Sequence, residues 1–327
     1  MRLITFSQGQ AARTGAWIDH DRHLVDLALA AQLRGAPTQD FHTMHDLIAA
    51  GPRALDAARA LVRAPPQEAL LATAAVRLLA PVPQPIQMRD ALAFELHLRQ
   101  AKRASARMRL RDHPQAEDEF RQIEASGALE PPPVWFRQPI YYKCNRLTVI
   151  GDGEPVRWPT YSRVLDYELE LGIFIGTSGR DIPASAARDH IFGYTVYNDV
   201  SARDAQADEM AGMLGPAKGK DFDTGNILGP CIVTADEVPD PYALEMVARV
   251  NGVEWSRGNS ASMKHRFEDI IAHVSASETL HAGEFIGSGT VGNGCGFEMG
   301  RYPQPGDEVE LEIAGIGRLR NRFGTAP

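Results

Sequence analysis

The 327-residue chain has no excess of basic residues, because 34 lysines and arginines stand against 42 aspartates and glutamates and the formal net charge is −8. Nucleic-acid-binding proteins usually carry clustered positive charge, so a DNA or RNA partner is not expected. The sequence also lacks an apolar run near the roughly 18 residues that a membrane-spanning helix needs. These absences favour an enzyme that acts on a small molecule.

Cysteine is scarce, with Cys144, Cys231 and Cys295 far apart in the sequence. They form no CxxC pair and no Cys/His cluster with the spacing of a zinc site. An odd number of scattered cysteines indicates a reducing compartment. The N-terminal segment turns polar at residues 7–10, too early for the apolar core of a signal peptide. We therefore expect a cytoplasmic protein.

The length suggests two domains, or one large domain with an appendage, at roughly 150 residues per domain. In the first part of the chain, alternating apolar residues predict short strands, and helical spacing predicts two helices separated by Gly51-Pro52. The strands are predicted at residues 2–6, 15–18 and 24–27, and the helices at residues 43–50 and 52–62. Closely spaced prolines at residues 81–85 favour an extended linker. We predict a small domain over residues 1–80 and a second domain over residues 81–327.

Residues 89–111 contain good helix formers without glycine or proline, and we predict a helix there. It ends in a basic run that includes Lys102, Arg103, Arg107, Arg109 and Arg111, a pattern more typical of a solvated helix face than of substrate steering. On this helix Asp90 and His97 would share one face, so that a metal-bound carboxylate and a base could face one cavity. A single histidine is more often structural. The segment 98–134 is either a lid over the cavity or a plain surface excursion.

The segment from Leu165 to Ile175 alternates with period two, which predicts a strand with Asp166, Glu168 and Glu170 on one face. Adjacent carboxylates repel one another unless water or a cation screens them. A solvent-facing edge strand would explain the pattern. The run Ile173-Phe174-Ile175 is apolar on both faces, however, and favours burial and hence a cation.

Two further segments carry candidate polar residues. A predicted strand breaks at Asn198-Asp199, where Ser201 could cap a short helix that presents Arg203 and Gln206 on one side. A strand end followed by a helix cap explains the same pattern without any function.

Residues 287–292 match the dinucleotide pattern GxGxxG, but the glycine-rich residues that follow cannot begin the required helix. We expect no dinucleotide site.

Taken in order, four motifs from about residue 80 to the end resemble the fumarylacetoacetate hydrolase family. They are Arg89-Asp90 to His97, Asp166-Tyr167-Glu168-Leu169-Glu170, Asn198-Asp199-Val200-Ser201-Ala202-Arg203-Asp204 and Gly219-Lys220-Asp221-Phe222. The resemblance implies an α+β fold in which a mixed β-roll catalytic domain, often dimeric, carries a small N-terminal α/β appendage. It also implies a divalent cation, usually Mg²⁺, Mn²⁺ or Ca²⁺, held by four carboxylates. The matching residues are Asp90, Glu168, Glu170 and Asp199.

The chemistry of these residues agrees with the resemblance, because anionic oxygen ligands suit hard cations such as Mg²⁺, the cofactor we expect first. Asp166 matches no ligand position and is interpreted either as structural or as a residue that contacts the ligands from behind. Family positions also imply three catalytic residues, His97, Glu298 and Lys220. The substrate contacts implied in the same way are Tyr142, Arg203, Gln206 and Thr290.

The resemblance implies a metal-dependent hydrolase that cleaves a carbon–carbon bond in a 1,3-diketo acid of aromatic catabolism, either an acylpyruvate or a fumarylacetoacetate-like compound. Two departures, Leu92 in place of a tyrosine and Asp223 in place of a glycine, predict a different substrate tail from fumarylacetoacetate. A 2-oxo acid decarboxylase, hydratase or tautomerase on the same fold is the alternative. A non-catalytic, metal-stabilised binding protein is a second alternative. We expect a homodimer with a small-molecule substrate and neither a nucleic-acid nor a membrane partner.

Overall fold

The computed structural model describes residues 1–9 and 11–324, which combine helices with sheets. In the first 80 residues the elements are β1 (Arg2–Gln8), β2 (Ala11–Ile18), β3 (His23–Asp26), α1 (Leu27–Leu33), α2 (Met44–Arg63), β4 (Leu70–Ala72) and β5 (Arg77–Leu79). Up to residue 202 they are β6 (Met88–Ala91), α3 (Glu95–Leu110), α4 (Ala116–Ala125), α5 (Pro133–Arg137), β7 (Tyr141–Lys143), β8 (Val149–Ile150), β9 (Leu165–Asp166), β10 (Leu169–Ile175), α6 (Ala184–Ala187), β11 (Ile191–Asp199) and β12 (Ser201–Ala202). The others are α7 (Arg203–Met210), β13 (Asn226–Thr234), β14 (Glu245–Val250), β15 (Val253–Asn259), α8 (Phe267–Ser275), β16 (Phe285–Gly287), α9 (Gly296–Met299), β17 (Glu308–Ile313) and β18 (Gly317–Arg322).

The largest sheet contains twelve strands, in the order β4-β3-β2-β1-β13-β11-β10-β16-β6-β7, with β5 beside β1 and β8 beside β13. A separate four-stranded sheet has the order β15-β14-β17-β18. Most neighbouring strands are antiparallel, but β16 pairs with β6 in parallel. Among the described residues this large sheet stays open and does not close into a barrel. The mixed α+β fold predicted from the sequence is confirmed.

The acidic strand is buried on both faces. It is interrupted at Tyr167 and Glu168, so β9 ends at Asp166 and β10 begins at Leu169. Every residue of β10 is buried, and β10 is an inner strand that pairs with β11 and β16. The interpretation as a solvent-facing edge strand is therefore wrong, and burial of the carboxylates is confirmed.

The predicted helix over residues 89–111 begins later than expected. Residues 88–91 form the buried strand β6, and the helix starts at Glu95. Asp90 pairs with Gly287 of β16 on one side and with Tyr142 of β7 on the other. These long-range pairings outweigh the local helix propensity. Asp90 and His97 consequently do not share a helix face, and that part of the prediction is wrong.

The three predicted N-terminal strands correspond to β1, β2 and β3, whereas α1, β4 and β5 escaped prediction. The two predicted helices form α2 with a kink at Gly51, whose φ of 66° takes the chain out of the helix before Pro52. Strand β1 pairs with β13, with Arg2 opposite Val233, and thereby extends the sheet that carries β10 and β11. The division of the chain near residue 80 stays a prediction.

All three cysteines are buried free thiols. None of the helices in the described part of the chain combines the length and the apolar character that a bilayer crossing requires.

Candidate active site

A cavity of about 350 Å³ lies at β6, β10 and β11, between helices α3 and α7. Ten of the eleven site residues predicted from the sequence line it, and the eleventh, Glu298, contacts the lining residue His97. The ten are Asp90, His97, Tyr142, Glu168, Glu170, Asp199, Arg203, Gln206, Lys220 and Thr290. The structure thus brings the predicted residues together, while their individual roles stay predictions.

Three buried carboxylates meet on one side of the cavity. One oxygen each from Asp90, Glu170 and Asp199 lies within 4.8 Å of the others. Burial and the negative charge of Asp199 raise the pKa of Asp90 to about 7, and burial and Asp90 raise the pKa of Glu170 well above its usual range. Asp199 Oδ1 has no hydrogen-bond partner among the described residues. A cation would relieve both the crowding of charge and the unsatisfied oxygen.

Two glycines make room for these carboxylates. A Cβ atom on Gly287 would lie 2.4 Å from Asp90 Oδ1 and 3.1 Å from Glu170 Oε2. The backbone N–H of Gly289 donates to the same two oxygens at 3.1 Å, and its φ of +80° favours glycine. The glycine-rich stretch that matches a dinucleotide pattern therefore packs against the acids. This contact between the glycines and the acids depends on the register of β16 with β6, which the sequence does not reveal.

Glu168, the fourth predicted ligand, lies in the same cavity but outside this group of three. Its Oε2 accepts from Lys220 Nζ at 2.7 Å, and its Oε1 lies 2.8 Å from Arg203 Nη2. Burial alone would raise the pKa of Glu168, but Lys220 and Arg203 lower it to about 2. Both oxygens are thus held by cationic side chains.

Lys220 is a buried ammonium group held between two acids. Its Nζ donates at 2.7 Å to both Glu168 Oε2 and Asp199 Oδ2. Burial lowers the pKa of Lys220, yet Asp199 and Glu168 raise it to a net value above the usual range. The side chain is therefore protonated, and its position next to the carboxylates is fixed.

His97 and Glu298 form a hydrogen-bonded pair at the cavity wall. His97 Nδ1 lies 3.0 Å from Glu298 Oε1, and the Glu298 side chain is fully buried. His97 comes from the first turn of α3, whereas Glu298 belongs to the short helix α9. An acid on one ring nitrogen fixes the orientation of the imidazole and leaves the other nitrogen, Nε2, for proton transfer.

Asp166 connects helix α9 to Arg203. Its carboxylate accepts from the backbone N–H groups of the first two residues of α9 at 2.8 and 2.9 Å. It also accepts from Arg203 Nε at 2.9 Å and Nη2 at 2.8 Å. Arg203 Nη1 in turn donates to Gln206 Oε1 at 3.0 Å. Asp166 therefore lies behind the cavity wall, where it joins the elements that carry Glu298 and Arg203.

The remaining predicted substrate contacts bind the carboxylates directly. Tyr142 Oη donates to Asp199 Oδ2 at 2.6 Å, and Thr290 Oγ1 donates to Glu170 Oε1 at 3.2 Å. Ser201 does not cap α7 as predicted, because it lies in β12 and its Oγ donates to the backbone oxygen of Asp199. Polar residues around the acids thus satisfy most of their oxygens.

The cavity also has apolar lining residues, several of them on α3 and α7. It is lined by Leu92, Leu98, Ala101, Lys102, Ser105, Ala207 and Met210, among others. Leu92, one of the two departures from the family pattern, therefore faces the cavity. The other departure, Asp223, is exposed and pairs with Arg157 at 3.3 Å, away from the lining.

The basic run of α3 divides into two groups. Arg99, Arg103 and Arg107 pair with acidic residues that include those of α4, as expected of a solvated face. Lys102 lines the cavity instead, and its Nζ donates to the backbone oxygen of Glu130. No carboxylate of the described residues pairs with Lys102. One face of α3 thus borders the cavity, and a lid function for residues 98–134 stays a prediction.

Comparisons with known proteins identify one family whose model matches most of the chain. The family model described as fumarylacetoacetate (FAA) hydrolase C-terminal matches residues 90–324. An uncharacterized protein of Staphylococcus haemolyticus (strain JCSC1435) is 42% identical over 156 residues, which are 47% of this chain and 50% of that protein. An uncharacterized protein of Staphylococcus aureus (strain USA300) is 40% identical over 156 residues, or 47% of this chain and 51% of that protein. The chain spans about half the length of the curated relatives it matches.

Solved structures resemble the whole described chain. The fumarylacetoacetate hydrolase of psychrophilic Exiguobacterium antarcticum is 27% identical, with a TM-score of 0.73 and 99% of each chain covered. The maleylpyruvate hydrolase of Sphingobium sp. SYK-6, solved with manganese(II) and pyruvate, has a TM-score of 0.73 at 23% identity, with 100% of each chain covered. At that identity the second likeness shows a shared fold.

Proposed function

The chain belongs to the fumarylacetoacetate hydrolase family, and from this premise we propose that it is a metal-dependent hydrolase of 1,3-diketo acids. The bond cleaved is a carbon–carbon bond of an acylpyruvate or a fumarylacetoacetate-like compound formed in the breakdown of aromatic compounds. One observation carries the proposal: the His97–Glu298 pair faces the same cavity as the three crowded carboxylates. A base and a cation site are the two components that such a hydrolysis requires.

Asp90, Glu170 and Asp199 are the residues that would hold the cation, with Glu168 as the fourth carboxylate beside them. Their oxygen ligands suit Mg²⁺ first, and Mn²⁺ or Ca²⁺ also fit. When bound, the cation supplies Lewis-acid polarisation of the substrate oxygens. The unsatisfied Asp199 Oδ1 supports the fit.

His97 is the proposed general base. Because Glu298 accepts from Nδ1, Nε2 can take a proton from a water molecule as that water attacks the distal carbonyl carbon of the substrate. The carbon–carbon bond then breaks, and its electron pair stays with the 2-oxo acid fragment, which takes up a proton. The acyl fragment leaves as a carboxylic acid.

Lys220, Arg203 and Gln206 are the proposed donors to the oxyanion that forms when water adds to the carbonyl. They line one cavity, and the ion pairs of Lys220 and Arg203 with Glu168 fix their positions before substrate arrives. A fixed donor of this kind contributes about 3–4 kcal/mol to transition-state stabilisation.

The apolar lining residues and Lys102 suggest which substrate tail is accepted. Leu92, Leu98 and Met210 provide apolar surface, and Lys102 adds a positive charge without a carboxylate partner among the described residues. We therefore propose a tail with a short apolar part and an anionic end that reaches Lys102. A homodimer and a cytoplasmic location are also proposed.

The test is an activity panel of acylpyruvates and oxaloacetate with added Mg²⁺ or Mn²⁺. We expect two carboxylate products from at least one acylpyruvate, metal dependence, and loss of activity in His97→Ala. His113→Ala, which changes an exposed histidine outside the cavity lining, is the matched control and should keep activity.

Two other results would contradict the hydrolase. Release of CO₂ from oxaloacetate that is unaffected by His97→Ala would indicate a decarboxylase. Tight metal binding without turnover of any compound in the panel would indicate a binding protein.

A further inference from the structure

A second group of possible metal ligands lies beside the carboxylates and shares no residue with them. It consists of His97, Cys295 and Glu298, whose donor atoms all lie within 4.8 Å of one another. His97 Nδ1 and Glu298 Oε1 are 3.0 Å apart. The proposed hydrolysis uses the histidine and the glutamate but assigns no role to the Cys295 thiol.

The three donors are held by buried structure rather than by mobile surface chains. Cys295 is fully buried, and the side chains of His97 and Glu298 are 7% and 0% exposed. Cys295 and Glu298 form a capping box at the start of α9, in which the backbone N–H of Cys295 donates to Glu298 Oε2 at 3.2 Å. This reciprocal contact holds the thiol and the carboxylate on the same side of the turn, next to His97.

The donor set differs in chemistry from the carboxylate group. Sulfur, nitrogen and oxygen ligands together are typical of Zn²⁺, which lies about 2.0–2.3 Å from each of them. Hard cations such as Mg²⁺ prefer oxygen ligands alone. We propose that His97, Cys295 and Glu298 form a second metal site, selective for Zn²⁺ or a similar thiolate-binding cation. Because His97 lines the cavity, the cavity gives ions access and leaves a position for water.

Binding at this site has a defined proton balance and a defined consequence. Burial and Glu298 raise the pKa of the Cys295 thiol well above its usual range, so the ion displaces the thiol proton to solvent as the sulfur–metal bond forms. The ion also replaces the contact between His97 Nδ1 and Glu298. The proton of Nδ1 then moves to Nε2, so Nε2 can no longer accept a proton from water. If the proposed hydrolase function holds, Zn²⁺ will inhibit it by capturing the base, while the carboxylate group keeps its own cation.

The site itself is tested without any activity assay. Protein loaded with Mg²⁺ is titrated with Co²⁺, which reports a thiolate ligand by a charge-transfer absorption band. We expect the band in the parent protein and in Cys231→Ser, a control that changes another buried thiol distant from the cavity lining. We expect its loss in Cys295→Ser. A parent protein without the band, or a Cys295→Ser variant that keeps it, would overturn the proposal.

A second measurement follows inhibition by Zn²⁺ in excess Mg²⁺, with each variant compared with its own zinc-free rate. Cys295→Ser should need at least about tenfold more Zn²⁺ for half-inhibition, since even changes outside the ligand shell cost tenfold or more in metal affinity. Equal inhibition of Cys295→Ser and the parent would place the inhibitory Zn²⁺ at the carboxylates and refute the proposal. If no substrate is turned over, the proposed hydrolase fails, whereas the cobalt band still decides the metal site.

Discussion

Asp166 joins two parts of the site, and its replacement by asparagine tests that connection. Oδ1 accepts from the backbone N–H groups of Tyr167 and Gly296 at 3.0 and 2.8 Å. Oδ2 accepts from Phe297 N at 2.9 Å and from Arg203 at 2.9 and 2.8 Å. All five bonds are N–H donations to one carboxylate. In Asp166→Asn the amide oxygen can accept from only one of these two groups of donors. The NH₂ group then faces the other group, which has no acceptor.

The expected cost follows from the better of the two amide orientations. If the amide oxygen faces Arg203, two buried backbone N–H groups lose their acceptor, at about 1–3 kcal/mol each. Removing one partner of a buried ion pair costs about 3–5 kcal/mol. These figures overlap rather than add, and Glu168 still contacts Arg203 Nη2 at 2.8 Å. We therefore expect Asp166→Asn to lower the free energy of unfolding by about 3 kcal/mol.

Urea unfolding followed by circular dichroism, at one fixed Mg²⁺ concentration, measures this change. Asp223→Asn is the matched control, because Asp223 is exposed and pairs with an exposed arginine at 3.3 Å. An exposed pair contributes less than about 1 kcal/mol. If Asp166→Asn costs no more than the control, Asp166 does not join the two parts of the site as described.

Three further changes test other parts of the site. Glu298→Gln removes the carboxylate that orients His97, so kcat should fall by about 10²-fold or more. The Mg²⁺ affinity should stay within about twofold, and a fall in Mg²⁺ affinity alone would contradict the role of Glu298 in orienting the base. Gly287→Ala places a Cβ 2.4 Å from Asp90 Oδ1, so calorimetry should show divalent-cation binding weakened by at least about tenfold, and parent-like binding would refute the role of this glycine. Lys102→Met should raise KM by up to about fivefold for acylpyruvates with a carboxylate tail and leave neutral tails unchanged, whereas Arg109→Met, outside the cavity lining, should change neither. An equal change for both tails would exclude tail recognition by Lys102.

Local patterns predicted much of the fold. Alternation over residues 165–175 marks the strand around β10 correctly, because period two is visible within a short window. The kink at Gly51 follows from the Gly-Pro pair. Strand β6 escaped prediction, because its four residues are stabilised by β16 and β7 from distant parts of the chain.

The candidate site was likewise predicted only in part. Family motifs predicted the residues that line the cavity, but the pairing of Glu168 with Lys220 and Arg203 requires the folded arrangement. The space that Gly287 leaves for Asp90 requires the strand register. Cys295 and His97 lie close together in space. Cysteine spacing could not predict this contact, because the two residues are far apart in the sequence.

The distribution of the three carboxylates over β6, β10 and β11 has a consequence for folding. Contacts such as that of Asp90 with Gly289 join residues 199 positions apart, and closing loops of that length is slow and entropically costly. No local segment can assemble the three acids in advance. Their mutual repulsion therefore falls on the native state, in which β6, β10 and β11 all belong to one sheet. A divalent cation that binds only the assembled site would then raise the free energy of unfolding.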